Sequence, residues 1–245
     1  MPSIENTLAN SVIHRAESRN SADFGWLKVN HTFSFANYYN PERMNFGVLR
    51  VLNDDVIAPG KGFDTHPHKN MEIITIPLEG KLRHKDDMGN EGIISDTDIQ
   101  VMSAGKGVYH SEFNADKNKE VKVLQIWLHP NKNYVEPRYQ QISLNDIYTK
   151  NEFFQILSPE KNDQGVWIHQ NSWFYIGDFD DEKTIDYNIK GSNNGVYFFV
   201  VEGKASINGS DLGRRDAIGI WNTDSVNISV FKHTKILLME IPMSS

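Results

Sequence analysis

Histidine and glutamate side chains are concentrated in two short stretches of the first half of the chain. The stretch GKGFDTHPHKNMEIITIPLEG contains His66 and His68, with Glu72 four residues further on. The stretch AGKGVYHSEFN contains His110 and Glu112, again two residues apart. Imidazole and carboxylate groups are common ligands of divalent transition-metal ions. The two stretches together predict a metal site.

The spacing of these residues indicates how β-strands would position them. Residues two apart in a strand point to the same face, so His66 and His68 share a face, as do His110 and Glu112. With unbroken strand pairing, Glu72 would share the face of His66 and His68. A buried cluster of such polar groups is costly unless a cation neutralises and binds it. Five other histidines are interpreted instead as hydrogen-bonded packing residues: His14, His84, His129, His169 and His233.

The elements that must position these residues are predicted to be β-strands. Short apolar segments rich in β-branched and aromatic residues are bounded by turn residues in both halves of the chain, for example MEIITIPL and GVYFFVVEG. The segment VKVLQIWL is apolar on both faces, which predicts a strand between two layers. A polar stretch with two prolines separates the two series of strands. We therefore expect an all-β protein with domains at 1–130 and 151–245, joined by a linker at 131–150.

The two halves also resemble each other. PLEGKL (77–82) and VVEGKA (200–205) share an EGK turn after an apolar strand, at an offset of 123 residues. Glycine at such a turn permits the positive φ that a tight hairpin needs. The matching order of strands around the two turns predicts a duplicated β unit, and hence two jelly-roll or barrel domains packed together.

Composition excludes several classes of protein. The chain has 25 Lys and Arg against 32 Asp and Glu, a net charge of −7, which disfavours binding to nucleic acid or to an anionic membrane. It contains no cysteine, which excludes disulfides, thiolate metal sites and a cysteine nucleophile. Residues 1–20 are polar and lack the apolar core of a signal peptide. We expect a cytoplasmic monomer without direct nucleic-acid or membrane contact.

The histidine motifs resemble those of the cupins and, in detail, those of the pirin family. Cupins carry a glycine, five residues, H-x-H, three or four residues and a glutamate, and then a second motif, P-x-G-x-x-H-x-x-x-N. Gly60, His66, His68 and Glu72 match the first motif. In the second motif Gly105 replaces the proline, and Gly107, His110 and Asn114 match. Further stretches typical of pirins are HTFSFANYYNP, HKDDMGN, MSAGKGVYHSEFN and LQIWLHP. The resemblance implies a bicupin, with two consecutive cupin-type domains.

The two resemblances disagree on the carboxylate ligand. A general cupin would use Glu72, whereas pirins use the glutamate two residues after the histidine of the second motif, here Glu112. The pirin resemblance implies the metal ligands His66, His68, His110 and Glu112. Glu72 would then support the site by holding an imidazole through a hydrogen bond.

The second half lacks this pattern. Adding the offset of 123 to His66, His68 and Glu72 gives Ile189, Gly191 and Gly195, and no H-x-H occurs after residue 130. The second domain is therefore expected to be a degenerate cupin without metal that packs against the first.

The proposed ligands limit which metal ions can bind. Together with the pirin resemblance, they also limit the possible activity. Three imidazoles and one carboxylate suit Fe(II), Mn, Co, Ni, Cu(II) or Zn, and the pirin resemblance implies Fe(II). Bacterial pirin-like proteins resemble quercetin 2,3-dioxygenases, which implies a small aromatic substrate, O2 as co-substrate and Glu112 as the catalytic proton acceptor. Phe63, Met102 and the segment HTFSFANYY are candidates for the apolar walls of the site.

Two alternatives to an enzyme remain open at this stage. The first is a non-catalytic iron-binding regulatory protein that binds a transcription factor or enzyme partner in a metal-dependent way. The second is a fold that a metal only stabilises. Oxygen uptake with a flavonol separates the dioxygenase from both alternatives, and metal-dependent co-purification of a partner protein separates the two alternatives from each other.

Overall fold

The protein, as a computed structural model, is described from residue 10 to residue 244. Part of the polar N-terminal segment, residues 1–9, lies outside the described residues. Between 10 and 244 the chain forms strands and two short 3-10 helices, Ala16–Ser18 and Leu144–Asp146, and it contains no helix long and apolar enough to cross a membrane.

The strands are, in chain order, β1 (Asn10–His14), β2 (Asn20–Asp23), β3 (Leu27–His31), β4 (Leu49–Ile57), β5 (Gly62–His68), β6 (Glu72–Glu79), β7 (Lys81–Asp86), β8 (Glu91–Ser95), β9 (Asp98–Ser103), β10 (Val108–Asn114), β11 (Val121–Leu128), β12 (Arg138–Ser143), β13 (Phe153–Ser158), β14 (Val166–Trp167), β15 (Trp173–Phe179), β16 (Lys183–Asn188), β17 (Asn194–Glu202), β18 (Ala205–Ile207), β19 (Ser210–Leu212), β20 (Ala217–Trp221), β21 (Ser225–Val230) and β22 (Thr234–Pro242).

These strands form two sheets in each half of the molecule. In the first half, a seven-stranded sheet (β12-β9-β6-β11-β4-β3-β2) accompanies a four-stranded sheet (β5-β10-β7-β8). The second half repeats the arrangement with a seven-stranded sheet (β1-β20-β17-β22-β15-β13-β14) and a four-stranded sheet (β16-β21-β18-β19). The prediction of an all-β bicupin is confirmed.

The two seven-stranded sheets share one apolar core. Leu52, Ile74 and Leu124 from the first sheet belong to the same buried cluster as Phe174 and Leu237 from the second. This continuous burial holds the two domains against each other, since the removal of apolar surface from water is the main favourable term in packing.

The strand β11 lies between two layers, as its sequence predicts. Leu124 and Ile126 belong to the core between the domains, whereas Val121 and Val123 pack inside the first domain. The side chains that alternate with the inter-domain residues, including Gln125, therefore face the interior of the first domain.

The interiors of the two domains differ. In the second domain one continuous apolar cluster joins the large and small sheets, with residues such as Phe198, Ile228 and Leu238. In the first domain the apolar residues fall into two separate clusters, one around Ile57 and Val123 and one around Ile73 and Met102. Polar side chains occupy part of the first interior.

The glycines of the two EGK turns both have a positive φ. Gly80 follows β6 with φ +86, and Gly203 follows β17 with φ +81. A Cβ at Gly203 would lie 2.6 Å from the carbonyl oxygen of His233, so a side chain is excluded by backbone as well as by φ.

Two strands lie across the expected domain limits. The strand β1, at the start of the first expected domain, pairs with β20 of the second seven-stranded sheet, from Asn10 opposite Trp221 to His14 opposite Ala217. The strand β12, inside the expected linker, pairs with β9 as the edge of the first seven-stranded sheet. Both strands cover an edge that would otherwise expose unpaired backbone groups.

Candidate metal centre

Two neighbouring antiparallel strands bring three histidines together. His66 on β5 lies directly opposite His110 on β10, and His68 lies two residues after His66 on β5. The ring centroids of His66 and His110 are 4.4 Å apart, and each of these rings lies 4.9 Å from His68. One nitrogen from each histidine lies within 4.8 Å of the other two.

The nitrogen atoms of these histidines are available to a metal ion. His66 Nδ1 lies 2.8 Å from the carbonyl oxygen of Asp64, which leaves Nε2 for another partner. Within residues 10–244, His68 Nε2 and both ring nitrogens of His110 are buried without a hydrogen-bond partner. Buried polar atoms are nearly always partnered, so these orphaned nitrogens fit a bound cation.

The electrostatics of the site keep two of the imidazoles neutral. Burial, followed by the neighbouring histidines, lowers the pKa of His68 to about 4 and that of His110 to about 3. Burial disfavours the charged form, and adjacent imidazolium groups would repel each other. A neutral imidazole is the form that ligates a metal.

Glu112 brings a carboxylate to the same interior. Its side chain is buried on β10, where Thr75 Oγ1 donates to Oε1 at 3.3 Å and Gln125 Nε2 donates to Oε2 at 2.9 Å. Thr75 lies on β6 and Gln125 on β11, both in the seven-stranded sheet. Glu112 lies on β10 in the four-stranded sheet, so its carboxylate is hydrogen-bonded across the two sheets. Glu112, His110 and His84 form a second group with donor atoms within 4.8 Å of one another.

His84, expected from the sequence to be a packing residue, lies beside the candidate site. It lies on β7 directly opposite Glu112, while Asp86 on the same strand lies opposite His110. His84 Nε2 is 3.0 Å from Asp86 Oδ2, and its Nδ1 is buried without a partner among the described residues. The signal in the sequence was the spacing of His84 and Asp86, two apart in the stretch HKDDMGN.

Two of the other histidines interpreted as packing residues behave differently from each other. His14 Nδ1 is buried 2.7 Å from the hydroxyl of Tyr197, as that interpretation requires. His233 has an 82% exposed side chain, which lies 3.6 Å from Asp180 at the surface, so the packing interpretation is wrong for it.

Glu72 points away from the histidines. Its Oε2 accepts a 2.7 Å hydrogen bond from Ser103, and the backbone of His169 and the charge of Arg138 also act on the carboxyl group. Burial nevertheless raises the pKa of Glu72 to about 7. Both the expected shared face and the expected hydrogen bond to an imidazole are wrong. The reason is the turn between β5 and β6, where Asn70 has φ +50 and breaks the alternation.

A cavity of about 430 Å³ adjoins the histidines. His66, His68 and Glu112 line it. Its other walls are mainly aromatic or aliphatic, with Trp26, Phe35, Phe63, Leu82, Val123 and Trp127. Phe63 therefore lines the cavity as predicted, and so does Phe35 from the segment HTFSFANYY. Met102 instead belongs to the apolar cluster around Ile73.

Asp55 is the most perturbed carboxyl group in this wall. It lies on β4, it is buried, and it lines the cavity. Burial, together with the charges of Asp54 and Glu112, raises the pKa of Asp55 to about 8. The carboxyl group is therefore mostly protonated at neutral pH in the metal-free protein.

The corresponding region of the second domain is occupied by the protein itself. Glu240, fully buried on β22, accepts hydrogen bonds from the backbone N–H groups of Lys190 and Gly191 and from the Tyr187 hydroxyl. Both side-chain groups of metal-binding type found among residues 10–244 lie in the first domain.

The fold and the site define a bicupin with a histidine and glutamate cluster of metal-binding type in its first domain. A family model described as Pirin matches residues 13–128, and one described as the quercetinase C-terminal cupin domain matches residues 155–241. The chain belongs to the pirin family.

Its relatives cover almost its whole length. Quercetin 2,3-dioxygenase of Escherichia coli (strain K12) is 38% identical over 230 residues, which are 94% of this chain and 98% of the relative. The pirin-like protein of Caulobacter vibrioides is 34% identical over 220 residues, 89% of this chain and 94% of the relative. The crystal structure of the bacterial pirin YhhW from Escherichia coli in complex with nickel(II) matches with a TM-score of 0.90 at 37% identity, covering 95% of this chain and 99% of that one.

Proposed function

We propose that this protein is a metal-dependent dioxygenase that opens the central ring of a flavonol or a related enol with O2, as a quercetin 2,3-dioxygenase does. The observation that carries the proposal is the set of buried, unpartnered imidazole nitrogens of His68 and His110 beside an aromatic-walled cavity. The name of the relative from Escherichia coli, at 38% identity, supports the same reaction.

The proposed ligands of one divalent ion are His66, His68, His110 and Glu112. A redox-active ion such as Fe(II) would supply a Lewis-acidic centre and a path for electrons between an enolate and dioxygen. Iron is our proposal for the native metal; the nickel(II) complex of the relative YhhW is consistent with a site that accepts several divalent ions.

The proposed role of Glu112 is to take the proton of the substrate. The 3-hydroxyl of a flavonol loses its proton to a carboxylate oxygen of Glu112 that is free of the metal, which requires the carboxylate to shift off the ion, and the O–H electron pair stays on the substrate oxygen. A positioned base typically contributes a factor of about 100 to 10,000. The donors Thr75 and Gln125 orient the carboxylate before the substrate binds.

The aromatic walls position the flat substrate. Trp127 lies edge-on against both His68 and Phe35, with ring centroids 4.8 Å and 5.2 Å apart, and Trp26 packs against Phe63 at 5.4 Å. Rings held by their neighbours form a rigid slot beside the imidazoles. Such a slot favours a planar ligand, keeps water from the reacting carbons and makes positioning a large part of catalysis.

The test is oxygen uptake with quercetin after anaerobic loading of the protein with Fe(II), and separately with Ni(II). Ring opening consumes one O2 and releases one carbon monoxide for each flavonol, so both gases are measured. Equal consumption and release, dependent on metal, supports the proposal. Fully loaded protein that neither consumes oxygen nor releases carbon monoxide with any flavonol would reject it and favour the regulatory alternative.

A further inference from the structure

The cavity beside the histidines adjoins a second cavity. This neighbouring cavity of about 490 Å³ shares Phe35, Asn53, Asp55 and Phe63 with the first one. The same four side chains bound both volumes, so a ligand that extends past them from the histidines would enter the second cavity. We call this second cavity the side chamber.

Part of the side chamber suits an aromatic ring. Its wall includes Leu27 and Val29 from β3, and aromatic side chains stand at its rim. Phe24 and Tyr39 are 62% and 74% exposed there, although both are large apolar side chains. An apolar wall with aromatic edges is a typical site for a flat hydrophobic ligand.

Asn53 and Asp55 are two of the polar side chains in this wall, which also includes Asn20, His31 and Asn37. Asn53 and Asp55 lie two apart on β4, so they share a face. Both are buried, with exposures of 3% and 5%, yet Asn53 Oδ1 and Asp55 Oδ1 have no hydrogen-bond partner within residues 10–244. A buried acceptor without a donor is destabilising, and a ligand that brings a donor removes that cost.

The unpartnered oxygens of Asn53 and Asp55 select a ligand group that donates a hydrogen bond. An ionised carboxylate, sulfate or phosphate group offers only acceptors and would leave these oxygens without a donor. A hydroxyl group donates a hydrogen bond without adding charge.

We propose that Asn53 and Asp55 form a specificity ledge that binds the hydroxyl groups on the outer aromatic ring of the substrate. The assignment of the other end of the ligand to the histidines rests on the proposed function. The substrate class is then a flavonol, or a related enol, whose pendant ring carries neutral hydroxyl groups. Asn53 and Asp55 set the preference among substrates and take no part in the ring opening.

The test compares two flavonols in a binding assay that does not depend on turnover. Quercetin carries hydroxyl groups on its pendant ring, whereas galangin carries none there. Trp26 and Trp127 line the cavity, so quenching of their fluorescence reports binding. We expect the metal-loaded protein, kept without oxygen, to bind quercetin at least about tenfold more tightly than galangin, as one hydrogen bond to a buried group provides.

Variants of Asn53 and Asp55 test whether these two residues cause the preference for quercetin. Asp55→Leu and Asn53→Leu keep side-chain volume and remove the acceptors, so affinity for quercetin should fall about tenfold while affinity for galangin is kept. Asp55→Asn retains an acceptor and should retain the preference. Asp186→Leu, on an exposed position of β16 in the second domain, is the matched control and should change neither affinity. Metal content and the thermal transition are measured for every variant.

The outcomes distinguish failure of the ledge from failure of the dioxygenase proposal. If folded leucine variants keep the preference for quercetin, the ledge is rejected whatever the turnover. If the leucine variants lose the preference but no variant consumes oxygen, the ledge stands and the dioxygenase proposal fails. If the leucine variants do not fold, equal affinity of the wild-type protein for the two flavonols rejects the ledge, and a tenfold preference that Asp55→Asn retains supports it. If neither flavonol binds the wild-type protein, both proposals are rejected.

Discussion

Glu112 and His84 lie directly opposite each other on the antiparallel strands β10 and β7. The pair places a buried imidazole beside the carboxylate that the pirin resemblance assigns to the metal. Nε2 of His84 lies 3.0 Å from Oδ2 of Asp86, and this contact fixes the orientation of the ring. Nδ1 of His84 is buried without a hydrogen-bond partner among the described residues, and a donor atom of His84 lies within 4.8 Å of donor atoms of Glu112 and His110. A group so close to the proposed ligands is expected to matter almost as much as the ligands themselves.

The first prediction concerns His84. His84→Phe keeps a ring against Tyr139, whose centroid is 4.8 Å away, but it removes both nitrogens. We expect metal affinity to fall by roughly 10-fold to 100-fold, the usual cost of losing such a supporting group. Metal titration of the metal-free protein measures it. His233→Ala, on an exposed side chain, is the control and should leave affinity unchanged. Unaltered affinity in His84→Phe would restore the packing interpretation.

The second prediction concerns Gln125. Gln125 donates to Glu112 Oε2 at 2.9 Å, so Gln125→Leu removes a donor that orients the carboxylate without touching the histidines. Turnover should fall about tenfold, the equivalent of one hydrogen bond, while metal content stays near that of the wild-type protein. Steady-state kinetics and elemental analysis on the same sample measure the two effects. Loss of metal together with activity would show that Gln125 acts on the metal site as a whole.

The third prediction is that metal is retained to unusually low pH. Imidazoles with an ordinary pKa near 6.5 would lose metal to protons from about pH 6 downward. Because burial lowers the pKa of His68 to about 4 and that of His110 to about 3, protons compete at these two residues only at lower pH. We expect metal to remain bound at pH 5 and to be lost as the pH falls through about 4 to 3. Elemental analysis after dialysis measures it, and release complete by pH 5.5 would contradict the prediction.

The fourth prediction concerns the pH dependence of stability in the metal-free protein. Asp55 has a pKa of about 8 in the folded chain and about 3.9 when unfolded, so the folded state holds a proton that the unfolded state releases. The free energy of unfolding therefore falls as the pH rises from about 4 to about 8, and the fall is complete above the folded pKa. Asparagine does not titrate, so in Asp55→Asn this pH-dependent fall in the free energy of unfolding is absent.

Urea denaturation of Asp55→Asn and of the wild-type protein at pH 5 and pH 8 measures this effect. We expect the variant to gain stability over the wild-type protein as the pH rises, by up to about 1.4 kcal/mol for each pH unit. Asp186→Asn, at an exposed position, should show no such pH-dependent difference. A difference between Asp55→Asn and the wild-type protein that is the same at both pH values would contradict the raised pKa.

Much of the architecture follows from the local pattern of residues. The segment VKVLQIWL predicts β11 with its bounds, because an apolar run with two buried faces is typical of a strand between layers. The EGK turns predict the duplication, because glycine is needed at a positive φ. The three histidines of the motifs meet because β5 and β10 pair directly, with His66 opposite His110 and His68 opposite Val108.

What could not be predicted depends on long-range pairing. The face of Glu72 is set by a turn at Asn70 that the alternation rule does not contain. The spacing of His84 and Asp86 places both on one face of β7, but only the register of β7 with β10 brings that face to the site. The crossing of β1 to β20 joins residues about 200 positions apart, and no local signal specifies such a partner.

The most direct test of the central claim compares Glu112→Gln with Glu72→Gln in an oxygen-uptake assay with quercetin and Fe(II). The two glutamates are both buried, but Glu112 faces the histidines and Glu72 faces Ser103. Glu112→Gln removes charge and basicity, so turnover should fall about 100-fold or more, with a moderate loss of metal affinity because three histidines remain. Glu72→Gln should keep both metal and turnover. An empty site in Glu72→Gln, with full activity in Glu112→Gln, would contradict the account.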